Sequence, residues 1–339
     1  MKRLIAAICI ICLFALCGCT PKRVYSPPEN IALNYNNVSA HSTMWLTNEG
    51  YCYLEYGLFN RAYYYATRSG VQRLCNNNGY PLGRAQQYDS DTIYIMEEHH
   101  EADDGKRIYL FKSYDLKNRK VTKITNMENC LSYFLLDGAV FYLQYKECVF
   151  ALNPALMMYS GNTHTTVAPS VLAFGVRNNQ LVYLTVENDT ATVYQYDKEV
   201  GLAKTIASFS VGTLDVDDLL DVKVCFTSDC VLLVQTNATT YTSTIWNYSF
   251  DADQVHKDTL SGWICDFISY DKNSFFTLLE KDDTDNVQII QMDNATNTRT
   301  CIGQHTGYCS LFVGSDAGAY VSGGGIAYYS ETTGRVVVY

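Results

Sequence analysis

The sequence predicts an all-β protein, a β-propeller most simply built from seven four-stranded blades. Three observations lead to this prediction. A polar turn followed by an apolar strand recurs about seven times along the chain. Runs with helical periodicity are nearly absent. The chain also holds 28 tyrosines, and aromatic side chains suit the half-buried surface of a pleated sheet.

Residues 178–209 form the clearest unit of the repeat. Alternating apolar and polar residues predict strands at 181–186, 192–196 and 203–208. Asn188 and Asp189 form the turn between the first two strands, and residues 197–201 form the turn before the third. The unit therefore consists of short strands joined by tight turns, as in a meandering antiparallel sheet.

Two independent series of marker residues set the period. The second strand of each unit follows a turn rich in Asp, Asn, Gly or Ser, and its markers are Tyr53, Tyr94, Tyr142, Tyr183, Leu233, Phe276 and Tyr320. The third-strand markers are Tyr65, Tyr114, Leu152, Tyr196, Phe250, Met292 and Tyr329. Both series average about 44 residues per unit, which is typical of propeller blades. Rings of six or eight blades, a β-sandwich and a pair of barrels stay open as alternatives.

Deviations from the period predict where loops are inserted. The intervals near residue 130 and near residue 215 are the longest, so we expect loop insertions there, including residues 212–220. Residues 335–339 alternate as a final strand. No linker-like composition interrupts residues 42–339, so we expect one domain over that range.

The first 41 residues have the pattern of an export signal and a tether. Lys2 and Arg3 precede an apolar run, residues 4–16, that is too short to span a bilayer as a helix. The run ends in Leu16-Cys17-Gly18-Cys19, which resembles the lipobox of bacterial lipoproteins, although Cys17 departs from the usual small residue. This resemblance implies cleavage after residue 18 and lipidation of Cys19. Residues 19–41 hold three of the six prolines and predict an extended tether.

Charge and cysteine content limit the classes of function. The formal net charge is −10, which argues against nucleic acid as a partner and leaves the lipid as the expected membrane contact. Nine cysteines follow Cys19, and none of them forms a Cys-x-x-Cys pair, so zinc-ribbon and thioredoxin-like sites are not expected. Cys225 and Cys230 flank a short turn and form a candidate disulfide.

Imidazole and carboxylate side chains that suit a divalent cation occur in two segments. They are Glu97, His99, His100 and Asp103 in the second unit, and Asp282, Asp283 and Asp285 in the sixth. Both segments fall between the second and third strands of their units, where a solvated hairpin loop is the simpler explanation. Ca²⁺ is a candidate at the acidic segments, but none has the spacing of an EF-hand loop. No other cofactor is expected.

Motifs that carry catalysis are not found in the sequence. Gly-x-Ser-x-Gly, the phosphate-binding loop and His-Glu-x-x-His are all missing, and none of the six histidines has a partner at diagnostic spacing. No catalytic residue is therefore assigned.

Two short segments resemble the repeats of extracytoplasmic bacterial propellers, the TolB-like group and the propeller lipoproteins of Gram-positive bacteria. They are residues 136–142, Leu-Asp-Gly-Ala-Val-Phe-Tyr, and residues 193–197, Val-Tyr-Gln-Tyr-Asp. No unit ends in Trp-Asp, so the repeats differ from those of the WD40 type.

Together these features predict a lipid-anchored, extracytoplasmic propeller of a bacterial cell envelope. We expect a non-enzymatic binding or scaffold protein for an envelope protein or another extracellular ligand, because partners of a propeller meet loops at one face or at the channel mouth. Two alternatives belong to other classes of function. One is a surface glycan-binding module, and the other is a glycan or peptide hydrolase or lyase with its site at the central channel.

Overall fold

The structure is a computed structural model, and it describes part of the chain. The described residues are 44–46, 50–56, 61–67, 70–77, 86–87, 91–102, 105–145, 154–212, 214, 222–237, 239–269, 274–280, 286–293, 298–306, 310–313, 319–322, 326–330 and 335–338. Side chains are described only between residues 91 and 304, with some further gaps. The predicted signal and tether, including Cys19, lie outside the described residues.

Short strands make up all the regular structure in these ranges. In chain order they are β1 (Met44–Leu46), β2 (Gly50–Tyr56), β3 (Arg61–Thr67), β4 (Gly70–Asn77), β5 (Gln86–Gln87), β6 (Thr92–Glu101), β7 (Arg107–Asp115), β8 (Lys120–Glu128), β9 (Cys130–Leu136), β10 (Ala139–Gln144), β11 (Ala155–Ser160), β12 (Thr163–Ala168), β13 (Ala173–Arg177), β14 (Gln180–Glu187), β15 (Thr190–Asp197), β16 (Leu202–Ser210), β17 (Val222–Phe226), β18 (Cys230–Asn237), β19 (Thr242–Ser249), β20 (Gln254–Ser261), β21 (Trp263–Ser269), β22 (Ser274–Glu280), β23 (Asn286–Asp293), β24 (Thr298–Thr306), β25 (Ser310–Val313), β26 (Ala319–Ser322), β27 (Ile326–Ser330) and β28 (Arg335–Val338). None of the described segments is a helix long and apolar enough to cross a bilayer.

The described strands pair into seven four-stranded antiparallel sheets, each made of four strands consecutive in the chain. We number these sheets as blades 1 to 7 in chain order. The first strands of neighbouring blades contact one another: β13 contacts β17, β17 contacts β21, and β21 contacts β25. In blades 4 to 7 the first strand is therefore innermost, and the fourth strand is the outer edge of the sheet. This arrangement of radial sheets is a β-propeller, as the repeat predicts.

Twelve of the fourteen marker residues lie in the strands that the period predicts for them. All seven second-strand markers lie in the second strand of their blade, from Tyr53 in β2 to Tyr320 in β26. Five third-strand markers lie in third strands, and Phe250 directly follows β19. Leu152 lies outside the described residues, and β11 begins only at Ala155. The predicted strands at 181–186, 192–196 and 203–208 are confirmed as parts of β14, β15 and β16.

The core lies between blades. One cluster joins blades 4 and 5 and includes Val193, Phe209 and Trp246. Further clusters join blades 2 and 3, blades 3 and 4, and blades 5 and 6. Gly175 allows close approach at one boundary, because a Cβ there would lie 2.7 Å from the Phe226 ring. Blades 3, 4 and 5 thus each bury both faces against their neighbours, which a single sheet cannot do alone.

Where their side chains are described, the outer strands are largely exposed and carry charged and threonine residues. Exposed apolar residues also lie on or beside them: Val121 on β8, Leu202 on β16 and Val255 on β20. In most blades a β-bulge interrupts the pairing of the third and fourth strands, as between Phe111 and Lys112. Charges and bulges are common ways to keep an edge strand from pairing with another chain.

Two expectations from the sequence are wrong. The structure has no insertion near residue 130, because β8 ends at Glu128 and β9 begins at Cys130. The extra length of that interval lies in the long strands of blade 2. The candidate disulfide is not formed either, since Cys225 and Cys230 both carry thiols. Leu232 lies opposite Cys225 and Ser249 lies opposite Cys230, so the two thiols are not cross-strand neighbours.

Candidate functional site

Charged and polar side chains from two blades meet beside the inner strands of blades 5 and 6. Lys223 is the second residue of β17, Cys265 lies near the start of β21, and Glu280 is the last residue of β22. Because neighbouring strands in each sheet are antiparallel, all three residues lie at the same end of their blades. We call Lys223, Cys265 and Glu280 the inner-strand cluster.

A local irregularity in β21 positions the thiol. The register of β21 against β22 shifts between Ile264 and Asp266, so Cys265 is an extra residue without a cross-strand partner. Ile264 remains fully buried between blades 5 and 6. The Cys265 thiol lies 3.7 Å from Glu280 Oε2 and 3.7 Å from the carbonyl oxygen of Trp263, and it can donate to either oxygen. Bulges of this kind often re-aim a side chain next to a binding site.

The electrostatics of the cluster keep the thiol protonated. Burial raises the pKa of Cys265, and the negative charge of Glu280 raises it further, to about 11. The positive charge of Lys223 acts in the opposite direction with a smaller effect. A protonated thiol is a poor nucleophile and a poor metal ligand. The cluster therefore offers one cation, one carboxylate and one neutral hydrogen-bond donor.

A buried hydroxyl holds the start of β21 in place. Ser243 Oγ donates to the Gly262 carbonyl at 2.8 Å and accepts from the Ile264 N–H at 3.0 Å. The Gly262 N–H in turn donates to the Tyr241 carbonyl at 2.8 Å. Every buried polar group named here thus has a partner, which fixes the backbone that precedes Cys265.

Aromatic side chains stand beside the cluster. The rings of Tyr241 and Trp263 are 6.3 Å apart and tilted, and Trp263 pairs with Glu280 in the sheet. Trp263 is partly exposed, whereas Trp246 is buried. Of these two tryptophans, only Trp263 has surface available to a ligand.

The residues predicted to bind metal are not brought together among the described residues. Glu97 lies in β6 with its side chain 5% exposed, and it forms an ion pair with Lys112 of β7. Its second carboxylate oxygen, Oε2, is buried without a hydrogen-bond partner. His99 is exposed, at a shift in the pairing of β6 with β7.

The other members of the predicted metal set are only partly described. His100 belongs to β6, and its side chain is not described; Asp103, Asp282, Asp283 and Asp285 lie outside the described residues. Where the structure describes side chains, no three His, Cys, Asp or Glu residues form a group that could hold a metal ion. The metal set stays a prediction. The placement of residues 97–101 in a hairpin loop is wrong, because they continue strand β6.

A second polar contact, at the boundary of blades 2 and 3, also escaped the sequence analysis. Tyr142 Oη lies 2.8 Å from His164 Nδ1, and the His164 ring lies 4.7 Å from the Tyr159 ring. Burial raises the pKa of Tyr142 well above its usual value and lowers the pKa of His164. Both effects favour the neutral forms, so this pair works as a structural contact between strands β10 and β12.

Sequence reasoning missed the inner-strand cluster because its members have no fixed spacing. Lys223 and Cys265 come from different blades, and Cys265 meets Glu280 only through the fold of blade 6. A positional signal was present, since Lys223 and Cys265 both lie within three residues of the start of an inner strand. That signal can be recognised only once the strand boundaries are known.

Comparisons with known proteins support the fold. No model of a protein family matches this chain, and no curated protein matches it significantly. Solved structures do match. The β-propeller domain of the trilobed protease from Pyrococcus furiosus, which has an open velcro topology, aligns with a TM-score of 0.58 at 10% identity, covering 88% of this chain and 96% of that one. Hsv2 from Kluyveromyces lactis aligns with a TM-score of 0.52 at 13% identity, covering 85% and 94%.

A prolyl endopeptidase also aligns, with a TM-score of 0.58 at 10% identity, over 90% of this chain. This chain spans only 50% of that enzyme's length. TolB from Acinetobacter baumannii matches with a TM-score of 0.43 at 14% identity over 86% of this chain and 77% of that one, a likeness too low to support an argument. Identities this low show the shared fold alone. The chain is a β-propeller protein, and its function has to be argued from its own residues.

Proposed function

We propose that this protein is a lipid-anchored binding propeller of a bacterial cell envelope, and that its ligand contacts the inner-strand cluster of Lys223, Cys265 and Glu280. The observation that carries the proposal is the Cys265 thiol on the inner strand β21, which lies 3.7 Å from the Glu280 carboxylate on β22 and is acted on by the charge of Lys223 on the inner strand β17 of the neighbouring blade. Inner strands and the loops beside them are where a propeller gathers residues from several blades around one ligand.

The chemistry of the cluster favours binding over nucleophilic catalysis. An activated cysteine needs a lowered pKa, and the surroundings of Cys265 act the other way. A cation, a carboxylate and a neutral donor set on a rigid backbone match a polar ligand with its own charges. Trp263 adds a partly exposed ring to the same end of blade 6, which keeps a glycan among the ligand classes to be tested.

The experiment is a thermal-shift screen on the detergent-solubilised full-length protein with envelope and dietary glycans, envelope peptides, Ca²⁺, Zn²⁺ and EDTA. A ligand at about 100 times its Kd stabilises the folded state by roughly 2.7 kcal/mol. The proposal predicts that a glycan or peptide raises the melting temperature by several degrees, and that Lys223→Met removes the shift.

Lys204→Met is the matched control, because Lys204 is exposed on the outer strand β16. This variant is expected to keep the full shift. A shift that survives Lys223→Met, or one that only Ca²⁺ or Zn²⁺ produces, contradicts the proposed site. A folded protein that responds to nothing in the panel, and that forms no crosslink in cells through a photoreactive residue placed at position 263 beside the cluster, contradicts ligand binding there altogether.

The proposed anchor is tested separately. Cys19→Ser removes the acceptor of the lipid, so the variant is expected to lose labelling by a fatty-acid analogue and to leave the membrane fraction. Cys17→Ser is the control and is expected to stay lipidated. Equal membrane retention of both variants contradicts lipidation at Cys19.

A further inference from the structure

The outer edge of blade 5 differs from that of most other blades. Strand β20 is the edge strand of its sheet and pairs with β19 over eight residues without a shift in register. The corresponding outer pairs of blades 1, 2, 3, 4 and 6 each contain a shift or bulge. Because a bulge bends an edge strand away from an incoming strand, β20 lacks a protection that its neighbours have.

The ladder pattern shows which backbone groups of β20 face outward. The Gly262 N–H donates to the Tyr241 carbonyl at 2.8 Å, so this pair is of the hydrogen-bonded type. Hydrogen-bonded pairs alternate along an antiparallel ladder, so the N–H and C=O groups of Val255, Lys257 and Thr259 point away from β19. The Thr259 N–H accordingly donates to the Asp258 side chain at 2.8 Å instead of to the ladder. The open row on this edge is therefore Val255 and Lys257, and it ends at Thr259.

Lys257 and Asp258, the charged residues of β20, both contact other side chains of the protein. Lys257 Nζ lies 5.3 Å from the centre of the Trp246 ring, and Asp258 forms an ion pair with Arg299 of blade 6. Charged side chains usually protect an edge by standing over it. Here the ion pair neutralises Asp258, while Lys257 keeps a positive charge on the face that it shares with Val255, which is 38% exposed.

We propose that β20 binds an extended peptide segment of a partner protein as a fifth, antiparallel strand of blade 5. The segment carries an acidic side chain opposite Lys257 and a β-branched side chain two positions away, opposite Val255. Directly opposed residues of an antiparallel pair point to the same face, so the carboxylate and the lysine meet there. Main-chain hydrogen bonds supply the affinity, and this pair of side chains supplies the specificity.

The experiment measures the affinity of the detergent-solubilised full-length protein for two fluorescein-labelled, end-capped heptapeptides. They have the sequences Thr-Val-Thr-Glu-Thr-Val-Thr and Thr-Val-Thr-Lys-Thr-Val-Thr. The proposal predicts that the glutamate peptide binds about three- to ten-fold more tightly than the lysine peptide at low salt, and that the difference shrinks as salt is added. Lys257→Glu is expected to reverse this preference.

A backbone variant tests strand pairing itself. Val255→Pro removes an N–H that points outward, so it leaves the β19–β20 ladder intact while weakening peptide binding roughly three- to ten-fold. Val255→Thr keeps the N–H and a β-branched side chain and is expected to bind like the unchanged protein. Melting temperatures near that of the unchanged protein show that both variants fold.

Four results overturn the proposal. They are equal affinity for the two peptides, a preference that Lys257→Glu does not change, a folded Val255→Pro variant that binds as well as Val255→Thr, and absence of binding to either peptide by a folded protein. None of these results bears on the inner-strand cluster, which lies on other strands.

Discussion

Asn129 and Arg107 form a reciprocal pair of hydrogen bonds at the boundary between blades 2 and 3. The Asn129 N–H donates to the Arg107 carbonyl at 2.8 Å, and the Asn129 side-chain oxygen accepts from the Arg107 N–H at 3.0 Å. Tyr145, which follows β10 in blade 3, donates its N–H to the Asn129 carbonyl at 3.0 Å. One buried asparagine thus ties the third strand of one blade to the second strand of the next.

Replacing Asn129 with glycine tests this junction. Asn129 has a φ of +48°, which glycine also adopts, so the substitution removes the side chain without adding backbone strain. It leaves the Arg107 N–H without its partner, and we expect a loss of about 1–3 kcal/mol in the free energy of unfolding. Urea denaturation measures this loss.

Asn178→Gly is the matched control, because Asn178 is exposed and has a similar φ of +50°. We expect that variant to change the unfolding free energy by less than about 0.5 kcal/mol. Equal losses for the two variants would show that the Asn129 side chain does not hold the blades together.

Gly262 adopts a backbone conformation that places it against blade 6. Its φ is +128°, and a Cβ there would lie 2.7 Å from the carbonyl oxygen of Glu280. Gly201 has a φ of +71°, and no neighbouring atom lies within 4 Å of the position that a Cβ would take there. We therefore expect Gly262→Ala to cost on the order of 1–3 kcal/mol more than Gly201→Ala in urea denaturation. If the two substitutions cost the same, the close approach to Glu280 is not a constraint on stability.

The buried ion pair of Glu97 and Lys112 predicts a non-additive pair of mutations. Lys112→Met leaves the Glu97 carboxylate buried without its counter-charge, and we expect a loss of about 3–5 kcal/mol in unfolding free energy. Adding Glu97→Leu removes that charge, and it is expected to recover most of the loss, because apolar side chains often replace a buried ion pair without a penalty. A double-mutant cycle in urea measures the coupling. A double mutant as unstable as the sum of the two single mutants contradicts a direct pair.

Alkylation of Cys265 reports the electrostatics of the inner-strand cluster. With a pKa of about 11, only about one thiol in ten thousand is ionised at pH 7, so iodoacetamide should react slowly and faster as pH rises toward the pKa. Glu280→Gln removes a charge that raises the pKa, so it should speed the reaction. Lys223→Met removes a charge that lowers the pKa, so it should slow the reaction.

Mass spectrometry of the labelled peptides measures these rates. The exposed Cys301 on β24 serves as the internal reference, and denatured protein gives the rate without the fold. A Cys265 rate that is the same in all three proteins would show that Glu280 and Lys223 do not act on the thiol.

The fold could be predicted from the sequence because the units of the propeller repeat the same pattern of polar turns and alternating strands. Turn residues such as Asn178 and Asp189 adopt positive φ, and each precedes an alternating strand. Turns of similar composition recur in the sequence of each unit. The interval near residue 130 was misread because long strands and a loop insertion change a spacing equally. Leu152 lies outside the described residues, so its place in a third strand stays a prediction.

The candidate site could not be predicted from the sequence in the same way. Lys223 acts on Cys265 only because β17 and β21 lie side by side in adjacent blades, and Glu280 acts on it because β22 pairs with β21. Sequence reasoning singled out Glu97 as a candidate metal ligand because it stands among histidines and acidic residues, although a solvated hairpin loop was the simpler explanation. The alternation of β6 instead turns its side chain into the sheet, where Lys112 neutralises it. Charged residues that are close together in the sequence therefore do not by themselves indicate charged side chains that converge in the folded protein.

The most direct test of the account is site-specific photocrosslinking in cells that carry the anchored protein. Trp263, the partly exposed ring beside the cluster, is replaced with a photoreactive phenylalanine analogue in one strain and Lys204 in another, so that Lys223, Cys265 and Glu280 are all kept. Intact masses are measured after illumination. We predict a discrete adduct at position 263 that Lys223→Met or Glu280→Gln weakens, with no such adduct at position 204. The same adduct at both positions, or none at position 263 in a folded protein, would contradict ligand binding at the inner-strand cluster.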